Sequence, residues 1–370
     1  MTMTSLGGLT TEAPNWATAT LRDIQVSLGD IHNLQVGHFL GRSEYFTAEA
    51  SDDTPLFIKT IIQKFANDDS ERRFEGEHLA NTITIASSSS VSPLTASRVI
   101  QSNTFPGDYY IVSRLQDESD PLQVGSGFLS ISELEDIGHF VHLMGTSTVP
   151  KRFRKRRAGD TIPSLLHFLR PDSTEPWKNV SNGARQVASI IRGEADLLRS
   201  LADELGKLPS VPVFSHGDLK FSQFLKHSKT NHFMLCDWEE CGISTHLNDL
   251  SSLSADLFYS LIREIVDDNI GHTSDTNSIQ TLYDESIKKA ERAVSHILSG
   301  YVGARRYPFS KEELRAIQIR IGLMGLLRLY SASINTAEAR PRELALASIG
   351  MQIATNEISD AFFAHQEEHR

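Results

Sequence analysis

Two short motifs in the second half of the chain constrain its fold more than any other feature. The first is His216–Asp218 (His-Gly-Asp) with Gln223, and the second is Asp237–Glu239 (Asp-Trp-Glu). Each motif follows an apolar run. We interpret them as a loop, a hairpin-like return and a second loop that bring Asp218, Gln223 and Asp237 together. A carboxylate and an amide oxygen suit a hard divalent cation that also holds the phosphates of a nucleotide. A second aspartate, free of the metal, suits a base that orients an attacking hydroxyl.

This pattern resembles the aminoglycoside phosphotransferase and choline kinase-like family, which shares the protein-kinase fold. The usual family pattern, which this chain follows in order and spacing, is His-Gly-Asp, an amide residue five positions after the aspartate, and Asp-Trp-Glu about twenty residues after it. The chain departs from the family at Gln223, where asparagine is usual, and at Lys220, where histidine is frequent. Lysine two residues after the catalytic aspartate is typical of protein Ser/Thr kinases, where it contacts the transferred phosphate.

The resemblance implies a role for each of these residues. Asp218 would orient and deprotonate the acceptor hydroxyl, and Lys220 would neutralise charge on the moving phosphoryl group. Gln223 and Asp237 would bind Mg²⁺ that bridges the phosphates of ATP or GTP. Because the transition state is loose, positioning and electrostatics would supply most of the acceleration. Taken alone, each triplet is equally compatible with a turn or a strand end that carries no chemistry.

Residues 34–61 alternate β-like runs with turns and predict three strands. The resemblance places the loop over the nucleotide phosphates at the first turn, so that Gly41 and Ser43 would contact the nucleotide. It also makes Lys59, on the third predicted strand, the lysine that grips the α- and β-phosphates. The glycine loop is sparse, because no Gly-x-Gly-x-x-Gly pattern occurs in the chain.

The next segment, residues 70–83, predicts a helix with Ser70 as its N-cap. The resemblance makes Glu75 the helix carboxylate that pairs with the strand lysine, with Glu77 as the alternative. Two further strands are predicted after this helix. The second would end at a hinge between two lobes, where backbone groups of Ser113 to Leu115 would meet the nucleotide base.

These expectations describe an α+β, two-lobed protein-kinase-like fold. Residues 1–30 are expected to be a loosely structured extension, and 31–115 a nucleotide-binding lobe with a small antiparallel sheet and one helix. Residues 116–370 would form a larger, mainly helical lobe that carries the catalytic and metal loops at about 214–250. Amphipathic runs beyond these loops predict a helical subdomain, which the resemblance makes the acceptor-binding region.

Charge and composition exclude several other classes of protein. A net charge of −11 argues against a general nucleic-acid binder, and two cysteines imply no disulfide framework. No apolar run approaches the ~20 residues of a membrane-spanning helix. The N-terminus lacks a basic region followed by an apolar one, as a secretory signal would require. We therefore expect a cytoplasmic protein without nucleic-acid or membrane partners.

Three hypotheses remain open for what the protein acts on. The first is phosphorylation of a small-molecule hydroxyl, as on an antibiotic or metabolite. The second is a Ser/Thr kinase for a precursor peptide in lanthipeptide-like biosynthesis with a partner lyase, which Lys220 and the basic run Lys151–Arg157 favour. The third is a non-catalytic nucleotide-binding scaffold, which the sparse glycine loop and Gln223 suggest.

The basic run is unusual in an acidic protein, because six of its seven residues are lysine or arginine. Like charges so close together repel one another, so we expect the run to be an exposed segment rather than a buried structural element. An acidic peptide or partner protein would then be its ligand. A solvated segment without a specific role is an equally compatible interpretation.

Overall fold

The structure is a computed structural model of the 370-residue chain. It describes residues 31–38, 44–61, 70–94, 98–101, 109–114, 119–121, 129–160, 162, 181–207, 211–227, 229–269, 276–333, 337–338 and 341–355. The predictions for the extension 1–30 and for Gly41, Ser43 and Leu115 lie outside the described residues.

The described residues form an α+β fold in which small sheets come first and long helices follow. The strands are β1 Ile31–His38, β2 Glu44–Ala50, β3 Pro55–Ile61, β4 Val91–Pro93, β5 Arg98–Gln101, β6 Tyr109–Arg114, β7 Ser119–Pro121, β8 Pro212–Ser215, β9 Phe224–His227, β10 Phe233–Leu235 and β11 Gly242–Thr245. The helices are α1 Ser70–Thr82, α2 Ile131–Gly145, α3 Asn182–Gly193, α4 Ala195–Gly206, α5 Asn248–Asn269, α6 Thr276–Arg305, α7 Lys311–Ser333 and α8 Pro341–Thr355.

The N-terminal sheet has five antiparallel strands in the order β1-β2-β3-β6-β5, which confirms the predicted strands. Strand β3 lies in the middle, and its side chains alternate between the two faces. Leu56 and Ile58 are buried on one face, so Lys59 projects from the other. Helix α1 packs on the sheet, with the Phe74 ring stacked on Tyr109 at a centroid distance of 4.1 Å. The small sheet with one helix is therefore present as expected.

Two further sheets position the loops of the candidate site. One has the order β4-β10-β9-β7, and the other is the antiparallel pair β8 and β11. Pairing of Leu235 with Phe224 makes β9 and β10 a tight return, so that the residues just before β9 and just after β10 are neighbours. Pairing of Gly242 with Ser215 makes the end of β8 and the start of β11 neighbours as well.

The helices after β11 form the largest part of the hydrophobic core, and α7 is at its centre. Residues 316–327 of α7 are buried on every side, although the sequence predicts an amphipathic helix here. A mainly apolar helix that is buried all round is typical of a protein interior, and α7 reaches this position by packing against α3, α5 and α8. Among the described helices, none has the length and apolarity that a membrane span requires.

Helices α2 and α6 cross at two glycines, which explains their close approach. A Cβ atom added at Gly138 would lie 2.0 Å from the carbonyl oxygen of Ile297. A Cβ atom added at Gly300 would lie 1.8 Å from the carbonyl oxygen of Glu135. Only glycine allows the two backbones to touch here, and this contact joins α2 to the C-terminal helices.

Candidate active site

The loop after β8 begins with His216 and turns sharply at Gly217. Gly217 has a φ of +89°, a conformation that residues with a Cβ rarely adopt. An added Cβ would lie 2.2 Å from the carbonyl oxygen of Glu240 and 2.6 Å from the backbone nitrogen of Gly159. The glycine of the His-Gly-Asp motif is therefore required both by its backbone conformation and by the lack of space around it.

Asp249, in the first turn of α5, holds the beginning of this loop. Its two carboxylate oxygens accept the backbone N–H groups of His216 at 2.6 Å and Gly217 at 3.0 Å. Burial raises the pKa of Asp249, and the two backbone donors oppose that rise. A bidentate acceptor of this kind restrains the backbone immediately before Asp218. Asp249 lies more than 30 residues after His216 in the chain, so no local sequence pattern reveals this role.

The end of the loop is held by the same face of α5. The Ser252 hydroxyl donates to the carbonyl oxygen of Leu219 at 3.0 Å, and Asp256 accepts the backbone N–H of Phe221 at 2.8 Å. Arg328 on α7 pairs with Asp256 and also donates to the carbonyl of Leu219 at 3.3 Å. Because residues three and four apart lie on one side of a helix, α5 contacts the loop along its length.

Asp218, Lys220 and Gln223 are brought together by this loop, as the sequence predicts. The Nζ of Lys220 lies 2.5 Å from Oδ2 of Asp218, and the Asp218 side chain is 38% exposed. The Oε1 of the buried Gln223 side chain accepts the backbone N–H of Lys220 at 2.8 Å. The carboxylate of Asp218 is therefore accessible at the surface, and the amide of Gln223 supports the loop beneath it.

Asp237 lies next to this loop because of the β9–β10 return. The backbone N–H of Cys236 donates to the carbonyl of Gln223 at 3.0 Å, which joins the two loops directly. Asp237 has a φ of +71°, in the left-handed region that aspartate tolerates better than most residues. The loops that carry Gln223 and Asp237 are therefore adjacent.

Lys59 reaches this site from the N-terminal sheet. Its Nζ lies 2.5 Å from Oδ1 of Asp237 and 2.8 Å from Oε2 of Glu239. Burial disfavours the charged forms of Lys59 and Asp237. The attraction between the two groups nevertheless raises the pKa of Lys59 and lowers the pKa of Asp237. The predicted lysine thus joins the two lobes at the second motif.

The predicted pairing of Glu75 with Lys59 is wrong. The Glu75 side chain is 51% exposed and pairs with Arg156 at 3.3 Å. Glu77, the alternative, is buried and acts electrostatically on Lys59. Residues two apart lie about 200° from each other around a helix, so Glu75 and Glu77 cannot face the same partner.

The expectation that the whole basic run is exposed is wrong at one position. Arg156 is buried, and its guanidinium donates to the carbonyl oxygens of Cys241 at 2.7 Å and Glu239 at 2.9 Å. The fixed fork of donors in arginine can satisfy several acceptors at once, and this compensates for burial. Phe153 is also buried. The exposed members of the run are Lys151, Arg152, Arg154, Lys155 and Arg157.

Several of the residues that shape the site carried no sequence signal. Arg73 on α1 donates to Glu239 at 2.6 Å across a separation of 166 residues, and Arg156 contacts the same turn from yet another segment. Such pairs form only when segments that are distant in the chain pack against each other, so no local sequence pattern predicts them. Ser113 lies on β6 opposite Phe57, and its contact with a nucleotide base stays a prediction.

A cavity of about 440 Å³ lies elsewhere in the helical part of the structure. Its lining includes Val211, His246, Tyr301 and Arg305. His246 follows β11 and Val211 precedes β8, at the end of that strand pair opposite to the start of the Asp218 loop. The cavity is therefore separate from the Asp218 and Asp237 loops.

Comparison with known proteins gives fold relatives but no sequence match. The sequence matches no family model and no curated protein. A microcompartment-associated aminopropanol kinase superposes with a TM-score of 0.54 at 14% identity, over 91% of this chain and 95% of that one. A choline/ethanolamine kinase family protein from Mesorhizobium loti gives 0.53 at 14% identity, over 96% and 98% of the two chains.

A third solved structure, amicoumacin kinase in complex with AMP-PNP, Ca²⁺ and Ami, gives a TM-score of 0.53 at 14% identity. It covers 91% of this chain and 92% of that one. All three likenesses extend over nearly the full length of both chains, so they include the small sheet as well as the helices. The two-lobed fold expected from the resemblance to the aminoglycoside phosphotransferase and choline kinase-like family is thereby confirmed.

Proposed function

We propose that this protein is a nucleotide-dependent O-phosphotransferase that moves the γ-phosphate of ATP, or of GTP, to a hydroxyl of a small molecule. The observation that carries the proposal is the convergence of two ion pairs on neighbouring loops. Lys220 pairs with Asp218 at 2.5 Å, and Lys59 pairs with Asp237 at 2.5 Å. Three of the solved structures with this fold are an aminopropanol kinase, a choline/ethanolamine kinase family protein and amicoumacin kinase, and these names support a small acceptor.

In this proposal Asp218 and Lys220 act on the reacting groups. Asp218 is held from behind by the loop contacts of α5 and has an accessible carboxylate, as a base that orients a hydroxyl requires. Lys220 places a positive charge beside it, where negative charge on the transferred phosphoryl group would be stabilised. Because both groups belong to one short loop, their relative position is set before an acceptor arrives.

Asp237 and Gln223 are the residues that would hold Mg²⁺. Carboxylate and amide oxygens are hard ligands of the kind this ion prefers, and a magnesium site commonly completes its shell with phosphate and water. The Asp237 carboxylate already contacts a cation, the Lys59 ammonium. The side-chain oxygen of Gln223 accepts one bond, from the backbone N–H of Lys220, and has a second lone pair. When bound, the ion would neutralise phosphate charge. The amicoumacin kinase structure contains Ca²⁺ with AMP-PNP.

Lys59 would contact the nucleotide phosphates. It projects from the middle strand of the N-terminal sheet and reaches the Asp237 loop, so it lies between the two lobes. Its raised pKa keeps the ammonium charged throughout the physiological range. A permanent positive charge at this position suits the binding of a polyphosphate.

The peptide-kinase hypothesis rested on Lys220 and the basic run. In the structure Lys220 pairs with Asp218, and Arg156 supports the Glu239 to Cys241 turn, so neither singles out a peptide acceptor. The scaffold hypothesis rested on the sparse glycine loop and Gln223. The acidic and basic groups that phosphoryl transfer uses are nevertheless assembled around the two loops, which favours an enzyme.

The proposal is tested by incubating the full chain with MgATP or MgGTP and a panel of amino alcohols, sugars, hydroxylated antibiotics and Ser/Thr peptides. We expect a phosphorylated small molecule by mass spectrometry, and product formation that is at least about 100-fold slower with Asp218→Asn. Phosphorylation of peptides only would move the assignment to the peptide kinase. Nucleotide binding without transfer to any acceptor, equal in wild type and Asp218→Asn, would favour the scaffold.

A further inference from the structure

Two carboxylates share the Lys59 ammonium, and both come from the second motif. Among the described residues, the ion pairs of Lys59 are with Asp237 at 2.5 Å and with Glu239 at 2.8 Å. Helix α1 packs directly on this turn, yet neither Glu75 nor Glu77 forms a direct ion pair with the lysine. The pairing of a strand lysine with a helix carboxylate, as expected from the sequence, is therefore replaced by a pairing within the turn.

Glu239 is held rigidly enough to serve as a fixed partner. The oxygen that contacts Lys59 also accepts a bond from Arg73 of α1 at 2.6 Å, and the Arg73 side chain is only 4% exposed. Arg156 holds the Glu239 carbonyl at 2.9 Å from the other side. A Cβ added at Gly76 would lie 2.3 Å from that carbonyl oxygen, so the helix backbone also lies directly against it. These contacts fix both the backbone and the carboxylate of Glu239.

Glu77 is less suited to be the charged partner. It is buried, and burial raises the pKa of Glu77 to about 8, although the attraction of Lys59 opposes this rise. Its carboxyl group accepts a bond from the backbone of Trp238, which gives it a structural role beside the turn.

We infer that Glu239 is the residue that positions Lys59 for the nucleotide phosphates, and that Arg73 anchors Glu239 to helix α1. The inference rests on the proposed phosphotransferase function. If Asp237 serves a divalent cation, Glu239 is the carboxylate that remains to hold the lysine. The helix then acts on Lys59 through an arginine and a glutamate in series, rather than through a carboxylate of its own.

A different role for Glu239 has to be distinguished from this one. Two carboxylates separated by one residue could both bind the cation, and Glu239 would then be a metal ligand rather than a partner of Lys59. The contacts of Oε2 argue for the positioning role, because this oxygen already accepts bonds from both Lys59 at 2.8 Å and the buried Arg73 at 2.6 Å. The two roles differ in whether the loss of Glu239 weakens the binding of metal-free ATP.

The test measures the dissociation constant of ATP by calorimetry, with Mg²⁺ and separately in EDTA. The variants of the full chain are Lys59→Met, Glu239→Gln, the double variant and Glu77→Gln. The matched control is Glu240→Gln, because Glu240 is the next residue of the turn and pairs with Arg72 of the same helix at 2.8 Å. Melting temperatures report whether each variant folds.

We expect Glu239→Gln and Lys59→Met each to weaken ATP binding at least about tenfold, which is about 1.4 kcal/mol, with and without Mg²⁺. The double variant should be no weaker than Lys59→Met alone, since the two residues act as one unit. Glu240→Gln should bind ATP as the wild type does, and Glu77→Gln should lose far less affinity than Glu239→Gln.

Each contrary result overturns the inference in a different way. A loss in Glu239→Gln that appears only with Mg²⁺ makes Glu239 a metal ligand, and a loss that adds to that of Lys59→Met makes the two residues independent. If Glu77→Gln alone reproduces Lys59→Met, the helix carboxylate is the partner. If wild type binds no ATP, the proposed function itself fails. Should Glu239→Gln not fold, Glu239→Asp is used, and any further loss that it causes in the Lys59→Met background contradicts the inference.

Discussion

The ammonium group of Lys220 lies 2.5 Å from the carboxylate of Asp218, two residues earlier in the chain. Both side chains are about one-third exposed, at 35% and 38%, so an acceptor can reach them. The loop that carries them is held from beneath by α5, through Asp249 and Ser252. A carboxylate and a cation are thus presented together on a supported loop, and this is the arrangement that the proposed transfer to a hydroxyl would need.

Replacing Asp218 by asparagine should lower kcat by about 10²- to 10⁴-fold, because the acceptor hydroxyl loses its proton acceptor. The affinity for MgATP should change less than about threefold, since Asp218 is assigned to the acceptor and not to the nucleotide. Steady-state kinetics and ATP calorimetry on one preparation check both statements. An unchanged melting temperature shows that the protein is folded. Near-normal turnover by a folded variant would contradict the mechanism.

Asp237→Asn should raise the Mg²⁺ concentration that gives half-maximal activity and lower kcat at least about 100-fold, because an anionic ligand is lost. Asparagine is the appropriate replacement, since the position has a φ of +71° that asparagine tolerates better than alanine. The measurement is activity against Mg²⁺ at fixed ATP. The same Mg²⁺ dependence as the wild type would remove Asp237 from the metal site.

At Gln223 the amide oxygen is the chemical feature that matters, so Gln223→Asn should keep much of the activity while Gln223→Leu should not. Leucine also leaves the backbone N–H of Lys220 without its 2.8 Å acceptor, which costs about 1–3 kcal/mol of stability. Melting temperature and Mg²⁺ titration together separate the two effects. If Gln223→Leu retains wild-type activity and Mg²⁺ dependence, the ligand role is wrong.

Gly217→Ala should lower the free energy of unfolding by at least about 1–3 kcal/mol and abolish activity, because the added Cβ meets backbone atoms at 2.2 and 2.6 Å. The matched control is Gly193→Ala at the end of α3, where an added Cβ meets nothing within 4 Å. That change should be neutral or slightly stabilising. Urea unfolding of both variants gives the comparison, and equal stability losses would contradict the steric argument.

Glu77 should make stability depend on pH, because its pKa is about 8 in the folded chain against an ordinary value of 4.5. Between these values the folded state binds more protons than the unfolded state, so the unfolding free energy falls as the pH rises. The contribution of Glu77 is fully present below about pH 4.5 and is lost as the pH passes through about 8. Its size is on the order of a few kcal/mol.

Urea unfolding of wild type and Glu77→Gln between pH 5 and 8.5 checks this prediction. The glutamine variant cannot ionise, so its stability should fall less steeply over that range. Glu75→Gln is the control on the same helix, because the Glu75 side chain is half-exposed and pairs with Arg156 rather than with Lys59. Parallel profiles for wild type and Glu77→Gln would show that Glu77 does not titrate in this window.

Much of the architecture could be predicted because it depends on local patterns. Helix α1 was expected over residues 70–83 and extends over Ser70–Thr82, and the sheet strands appear where alternation and turns indicated them. The hairpin between the two motifs was enough to place the loop that contains Gln223 next to the residues before Asp237. In each case the deciding interactions are made by residues close in the chain, so their spacing determines the backbone that they adopt.

The partners of the charged groups were decided only by tertiary structure. Lys59, Arg73 and Glu239 meet because α1 packs against the turn after Asp237, across more than 160 residues of chain. The same packing buries Arg156, which a run of like charges alone would leave in water. The sequence by itself determined which chemical groups the site contains and the order in which they come. The fold decided which acid pairs with which base, because that pairing depends on distances that arise only when separate segments are packed together.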